Sequence, residues 1–582
     1  MHKTFIFSIV FLSFCGITRA QGLPQARELM DPENIHLLKS QGEGGQIIAH
    51  DQEGETVFRV ETIEQPKFIY NLNKPFPLKA ETLGKERVLL FSFLAKTERS
   101  SEETGEAKAL FMLKQSPSYK DNLVHTVDIS SHWQQYYLPF KTNERVDKSD
   151  LALILQYGFS PQSFLIKDVS LKLFPKGTDI ADLPKTPIKY AGMEANAPWR
   201  KEADARIEKL RKGDFEIIVT RDGKPLDGAI VALKLKRHAF PFGAMMHADD
   251  ILDNPVMYDK FKNAFSLTVL GNDLKIKSWS QPDKRKRALE AIKKLKDDNI
   301  TLKGHVLVWP GFQYNPAVIK NNKDNPDKIK KIIKDHVVNI LDATKGDISH
   351  WDVVNETYTN KDFQKSMGGE DFLYDAYAMV QSLQPEVKRF TNEYGIISKG
   401  GIDEQKQQWY YEYIKRVDAH VPGAVQGVGI QSHMGSDLTP PEKVLSILSY
   451  YATLGKQISI SEFTMDIQEP EIREQYTCDF MRVAFSHPNV SEFMFWGFQD
   501  DGRGKVDIYE KDGSLGAMGR AYFSLINGEW TTVFSAKANK NGTVKGRGFY
   551  GLYEYAIEQD GVLKKGYLEV FPQKSNTIEI KI

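Results

Sequence analysis

Two short runs place carboxylates where a surface turn would not need them. Residues 348–356, ISHWDVVNE, end a β-branched run on Asn355-Glu356, and residues 457–463, QISISEF, set Glu462 inside another apolar run. A strand closing into an ordinary turn finishes on Gly, Pro or Asp-Gly instead. Other runs end in amides and aromatics: His305 and Trp309 in LKGHVLVW, Asn392-Glu393-Tyr394 in VKRFTNEY, Gln431 and His433 in GVGIQSHM, Trp496 in SEFMFWGF. Two carboxylates facing each other among such groups suit cleavage of a glycosidic bond. One protonates the leaving oxygen, and the other attacks or stabilises the cationic sugar. Trp and Tyr faces take pyranose rings, while Asn, Gln and His donate to hydroxyls. His and Asp do not recur at metal-ligand spacing, and no Gly-x-Ser-x-Gly elbow is present. The expected chemistry therefore uses no metal and no cofactor.

These residues need a scaffold that gathers strand ends. From residue 238 strand-like runs alternate with helix-length amphipathic segments, eight times over. The strands read 238–246, 266–271, 302–309, 348–356, 387–394, 427–434, 457–463 and 491–498. Helices such as DKRKRALEAIKKLKDD (283–298) and DKIKKIIKDHVVNILDAT (327–344) lie between them. Short strands that are apolar throughout are those of a parallel sheet buried on both faces. Eight such alternations predict a (β/α)8 TIM barrel over 238–529, with reactive groups at the C-terminal strand ends. A doubly wound sheet would show a glycine-rich phosphate loop after its first strand, which this chain lacks.

The remaining residues set the context. A chain of 582 residues with 77 basic and 77 acidic side chains needs more than one domain and has no cationic surplus. A nucleic-acid partner is therefore not expected. His2-Lys3, an apolar run Phe5–Phe14 and Thr18-Arg19-Ala20 read as a signal peptide (1–20) cleaved near Ala20. That start predicts a secreted, periplasmic or cell-surface protein, with lipid attachment at Cys15 as the alternative. No later run is long enough for a membrane span, and removal of the leader leaves Cys478 without a disulfide partner. Runs such as KERVLLFSFLAKT and SFLIKDVSLKLF predict a β-sandwich over 21–177, with the strand order of a jelly-roll carbohydrate-binding module. Trp133, Tyr136 and Tyr137 are its candidate sugar-stacking residues, and core packing is the competing reading. Residues 178–237 read as a linker, a solvated helix and a 214–236 hairpin turning at Asp222-Gly223. Residues 530–582 read as a small β module, packing on that hairpin.

The motifs GHVLVW, WDVVNE, GVGIQSHM, ISEF and FMFWGFQD, in that order, resemble glycoside hydrolase family 10, the endo-β-1,4-xylanases. The resemblance implies a retaining double displacement on xylan, with Glu356 as acid/base and Glu462 as nucleophile. Their carboxyl groups are then expected about 5–5.5 Å apart. It further implies that Asn355 binds the hydroxyl next to the reacting carbon and that His433 hydrogen-bonds the nucleophile. Asn272, Lys275, His305, Gln431 and Trp496 would line the nearest sugar sites, with Trp309 and Tyr394 as further substrate-binding aromatics. The chain departs from the pattern at Gly271, where a sugar-binding Glu is usual, and at Ile276, usually Trp. Pro310 stands for His and Thr464 for Asp, with Asp466 a substitute partner for His433. Three further readings stay open: hydrolysis of another β-linked or decorated glycan, a non-catalytic glycan-binding barrel, and an adhesive surface protein. A polysaccharide or oligosaccharide is the expected partner of a monomer.

Overall fold

The apolar runs after residue 238 form eight parallel strands: Phe242–Met246, Leu267–Leu270, Thr301–Val308, His350–Asn355, Lys388–Glu393, Gly427–Ile430, Gln457–Met465 and Val490–Phe495. In this computed structural model the described residues are 25–582 except 53–54, 101–106, 116–119, 130–132, 187, 435–437, 466, 468, 501–507 and 573. The expected leader, Cys15, Asp466 and most of the loop after strand eight thus lie outside them. Each strand pairs in parallel with its neighbours in chain order, and the first pairs with the eighth. The sheet is therefore a closed barrel. Close packing dictates some of its residues. A Cβ on Gly304 in strand three would sit 2.2 Å from the Trp351 ring of strand four, so the indole fits only against glycine.

The surrounding helices follow from their apolar stripes. Pro326–Ala343 buries Ile329, Ile333, Val337 and Ile340 along one face, the spacing of a 3.6-residue repeat. Its start is fixed by Pro326 in the first turn and by Asn325, whose side chain accepts from the Lys328 N–H. Such cap and stripe signals are local, which is why the helix is readable from the sequence.

The chain divides into two units, Met1–Pro187 and Ile188–Ile582. The first is antiparallel, with one sheet carrying strands 45–52, 55–62, 162–173, 88–100 and 134–141 in that order. A four-stranded sheet (73–75, 151–156, 107–115, 120–129) accompanies it. Phe76, Phe91, Phe93 and Phe111 pack together in the core. Burial alternates along Gln134–Lys141, so Tyr136 points inward and stacks on Phe93 at 5.0 Å. Tyr136 is thus a core residue, not part of a sugar-stacking surface. Trp133 stays 38% exposed, but the Lys96 and Lys167 ammonium groups lie 5.5 and 5.4 Å from its ring centroid.

Two expectations about the chain flanking the barrel need correction. The 214–236 segment is not a self-paired hairpin. Asp222 and Gly223, both at positive φ, turn Lys212–Arg221 back onto only Lys224–Pro225. Pro225 has no N–H to extend the ladder, and the next strand, Ile230–His238, joins a different sheet. Lys212–Arg221 pairs instead with Thr543–Phe549 and Thr577–Lys581, while Ile230–His238 pairs with Val533–Lys537 and Gly551–Gln559. The two flanks of the barrel thus build one β module together. The helix expected to be solvated, Pro198–Arg211, buries Trp199, Ala203 and Ile207 and packs on Pro470–Ser486. Asp479 of that second helix accepts from Tyr190 at 2.7 Å and pairs with Arg200.

Candidate active site

Glu356 directly follows strand four, and its backbone enters the left-handed region at φ 55°. For a non-glycine residue that conformation costs on the order of 1 kcal/mol, and it persists where surroundings over-determine it. Here the Glu356 N–H is tied to the Asn392 carbonyl at 2.9 Å. The half-buried carboxylate collects three donors. Trp309 Nε1 (3.1 Å) and Asn360 Nδ2 (3.3 Å) reach Oε2, and Gln431 Nε2 reaches Oε1 at 3.0 Å.

Glu462, in strand seven, is only 4% exposed. Asn392 Nδ2 donates to its Oε1 at 2.6 Å, and His433 Nε2 lies 3.3 Å from Oε2. Burial alone pushes this carboxyl up. The His433 hydrogen bond and the nearby His305, His433 and Lys275 charges outweigh it and hold the group below its ordinary value. Asn392 also donates to Asn355 Oδ1 at 3.0 Å, and its own carbonyl is held by Ser461 Oγ at 2.6 Å. One amide thereby connects strands four, five and seven. The fully buried Asn355 Nδ2 has no acceptor among the described residues.

His433 is supported by Thr464 Oγ1, 2.9 Å from Nδ1. Thr464 itself, the residue in the usual Asp position, is therefore a partner of the imidazole. The chemistry differs from that of a carboxylate. A hydroxyl can donate to Nδ1 or accept from it, which leaves the imidazole free to turn Nε2–H toward Glu462. A carboxylate, which only accepts, would draw the proton to Nδ1.

Below the acids lies a buried ionic ladder. His305 Nδ1 sits 2.9 Å from Asp352, Lys303 Nζ 3.1 Å from Asp352 and 3.5 Å from Glu492, and His350 Nε2 3.0 Å from Glu492. Burial pushes Asp352 and Glu492 up, but Lys303 and the histidines hold both carboxyls below their ordinary values. The His305 ring packs edge-on against Trp496 at 5.0 Å.

On the other flank Lys275 Nζ donates to Asn272 Oδ1 at 2.8 Å and lies 4.7 Å from the Trp309 ring centroid. Tyr314 stacks on Trp309 at 3.5 Å, so one indole face is covered. Ile276 is buried in the core, and Pro310 is buried as well. Tyr394 packs against Lys406, whose ammonium lies 3.4 Å from the ring centroid, and donates to Thr359 Oγ1 at 3.1 Å.

Lys406 also pairs at 3.0 Å with buried Glu393, which accepts the Tyr358 N–H at 3.2 Å and so anchors the loop after Glu356. Burial pushes the Glu393 carboxyl up to about 7, with Lys406 and the Tyr358 N–H opposing and the Glu356 charge adding. A folded pKa above the unfolded one gives stability that is whole below the unfolded value and lost as pH rises through the folded value. Denaturant midpoints should therefore fall between about pH 4.5 and 7 by a component absent from Glu393→Gln. Parallel pH slopes for wild type and variant would refute this.

The structure thus gathers Glu356, Glu462, Asn355, Gln431, His433, Trp309, Lys275 and Asn272 at one barrel mouth, with His305 and Trp496 packed together beside the ionic ladder. Sequence reasoning named Asn392 among the strand ends without giving it a role, and it missed Tyr314, Asn360 and the Lys303–Asp352 pair. Signals existed for some: Asn392 ends a buried strand as Asn355 does, and a charge inside an apolar strand demands a partner.

The closed barrel presents two acids at its mouth, one half-exposed and donor-bound and one buried and held below its ordinary value, an arrangement that can serve glycosidic cleavage. Residues 232–506 match the family model described as Glycosyl hydrolase family 10. The anti-sigma-I factor RsgI6 of Acetivibrio thermocellus is 27% identical over 70% of this chain and 52% of its own. Endo-1,4-beta-xylanase 1 of Arabidopsis thaliana is 27% identical over 62% of this chain and 37% of its own. The chain thus spans about half, or less, of these curated relatives. Xylanase 10B from Thermotoga petrophila, solved with xylobiose, aligns over 50% of this chain and 94% of its own at 19% identity, with a TM-score of 0.44.

Proposed function

We propose that the protein is a retaining, endo-acting glycoside hydrolase of β-1,4-xylosidic bonds. The observation that carries this reading is the unequal treatment of two acids at one mouth. Glu462 is buried, held below its ordinary pKa and aligned by Asn392 and His433, which suits a nucleophile. Glu356 is half-exposed, at the strand end, where it can meet the leaving oxygen and later a water. Attack by Glu462 on the anomeric carbon forms a glycosyl ester as Glu356 protonates the departing oxygen. Glu356, then ionised, takes a proton from water, which displaces Glu462 and restores both acids. The unpaired Asn355 Nδ2 would bind the hydroxyl beside the reacting carbon, where a hydrogen bond strengthens as charge develops. The charged and apolar N-terminal run supports export.

The anomer released first from a xylo-oligosaccharide, followed by NMR, tests the mechanism. The β anomer is the expected product, and the α anomer would require inversion and reject it.

A further inference from the structure

We propose that His247 is a specificity-determining residue of the sugar cleft. With Asn272 and Lys275 it selects chains whose substituents accept hydrogen bonds, a carboxylate or an ester carbonyl. The inference rests on the hydrolase reading above. Alternate residues of a strand share a face. In strand one Gly243, Met245 and His247 therefore form one series, and in strand two Leu267, Val269 and Gly271 form another. Met245, Leu267 and Val269 pack with Met494 and Trp496, which marks both series as facing the barrel interior. His247 and Gly271 end these series at the mouth, and the Gly271 N–H bonds the Met246 carbonyl at 3.1 Å.

Gly271 makes room for His247. A Cβ at Gly271 would stand 2.7 Å from His247 Cε1 and 3.0 Å from Nδ1, so the imidazole lies where a side chain at position 271 would begin. Its side chain is 38% exposed, and Asp273 Oδ2 is 3.9 Å from Nδ1, beyond hydrogen-bond reach. The ring therefore keeps an N–H for a ligand. That Asp273 oxygen is taken by the Ala248 N–H at 2.8 Å. Next along the wall, Asn272 Oδ1 is consumed by Lys275, which leaves the Asn272 amide N–H groups and the remaining Lys275 protons. His247, Asn272 and Lys275 thus each offer an N–H, and a group that accepts hydrogen bonds is their complementary ligand.

The test compares wild type and His247→Ala on matched xylo-oligosaccharides that are unsubstituted, uronate-bearing or O-acetylated. The expected result is a wild-type preference for a substituted chain that falls about tenfold in His247→Ala, through KM. Loss confined to the uronate identifies the carboxylate, and loss confined to the acetylated chain the carbonyl. His247→Gln, which keeps an N–H, should retain most of the preference, as loss of mere packing would not. Gly271→Glu should shift preference toward the unsubstituted chain. Equal ratios in wild type and His247→Ala would overturn the inference. Calorimetric affinities for the same three sugars, measured with and without His247→Ala in a Glu462→Gln background, give the same ratio without turnover, so failure of the hydrolase reading is told apart from failure of this one.

Discussion

Glu462→Gln is expected to lower kcat/KM on xylan by roughly four orders of magnitude or more, with little change in fold or substrate affinity. The amide cannot form the glycosyl ester, yet it occupies the same volume. Its carbonyl can still accept from Asn392 Nδ2, which lies 2.6 Å from Glu462 Oε1. Its NH2 then faces His433, and the Thr464 hydroxyl can reverse its role to let the imidazole accept. Glu356→Gln should behave differently. Substrates with a good leaving group need little protonation in the first step, so an aryl xyloside should show a burst followed by slow turnover, which azide accelerates by replacing water. Steady-state and stopped-flow kinetics on both variants check this. More than about 1% residual activity in Glu462→Gln, with contamination excluded by an independent preparation, would reject the nucleophile assignment.

Lys303→Met is expected to destabilise the barrel by about 3–5 kcal/mol. Lys303 is 1% exposed, and its ammonium lies between Asp352 and Glu492, themselves buried. Methionine fills a similar volume, but two carboxylates lose their shared cation in a low-dielectric interior. Adding Glu492→Gln should recover part of the loss, because one uncompensated charge is then removed. Denaturant unfolding, read on a barrel-specific tryptophan signal because a multidomain chain is not two-state, measures both. A change under about 1 kcal/mol would mean that water or rearrangement satisfies these groups. The same variant should impair catalysis, since Asp352 orients His305 and its charge balance reaches Glu462.

The local code of this chain carried much of the architecture. Strand-length apolar runs, N-cap residues such as Asn325 and stripes such as Ile329, Ile333 and Val337 depend on neighbours within a turn or two. They were legible for that reason. So was the placement of Glu356 and Glu462, because a carboxylate at the end of a buried strand conflicts with ordinary strand chemistry and marks a site. The stripe Trp199, Ala203 and Ile207 was equally local, but charged neighbours on the other face masked it and suggested a solvated helix.

By itself, then, the sequence determined the element types, the barrel and the strand positions of Glu356 and Glu462. Only the tertiary structure decided which strand partners close the flanking β module, since Lys212–Arg221 finds Thr543–Phe549 across the whole barrel. It alone showed Asn392 joining Asn355 to Glu462, Thr464 holding His433, and His247 taking the space above Gly271. The physical reason is the same in each case. Periodicity and capping are short-range and repeat along the chain, whereas side-chain hydrogen bonds and close packing depend on residues that meet only after distant segments have folded together.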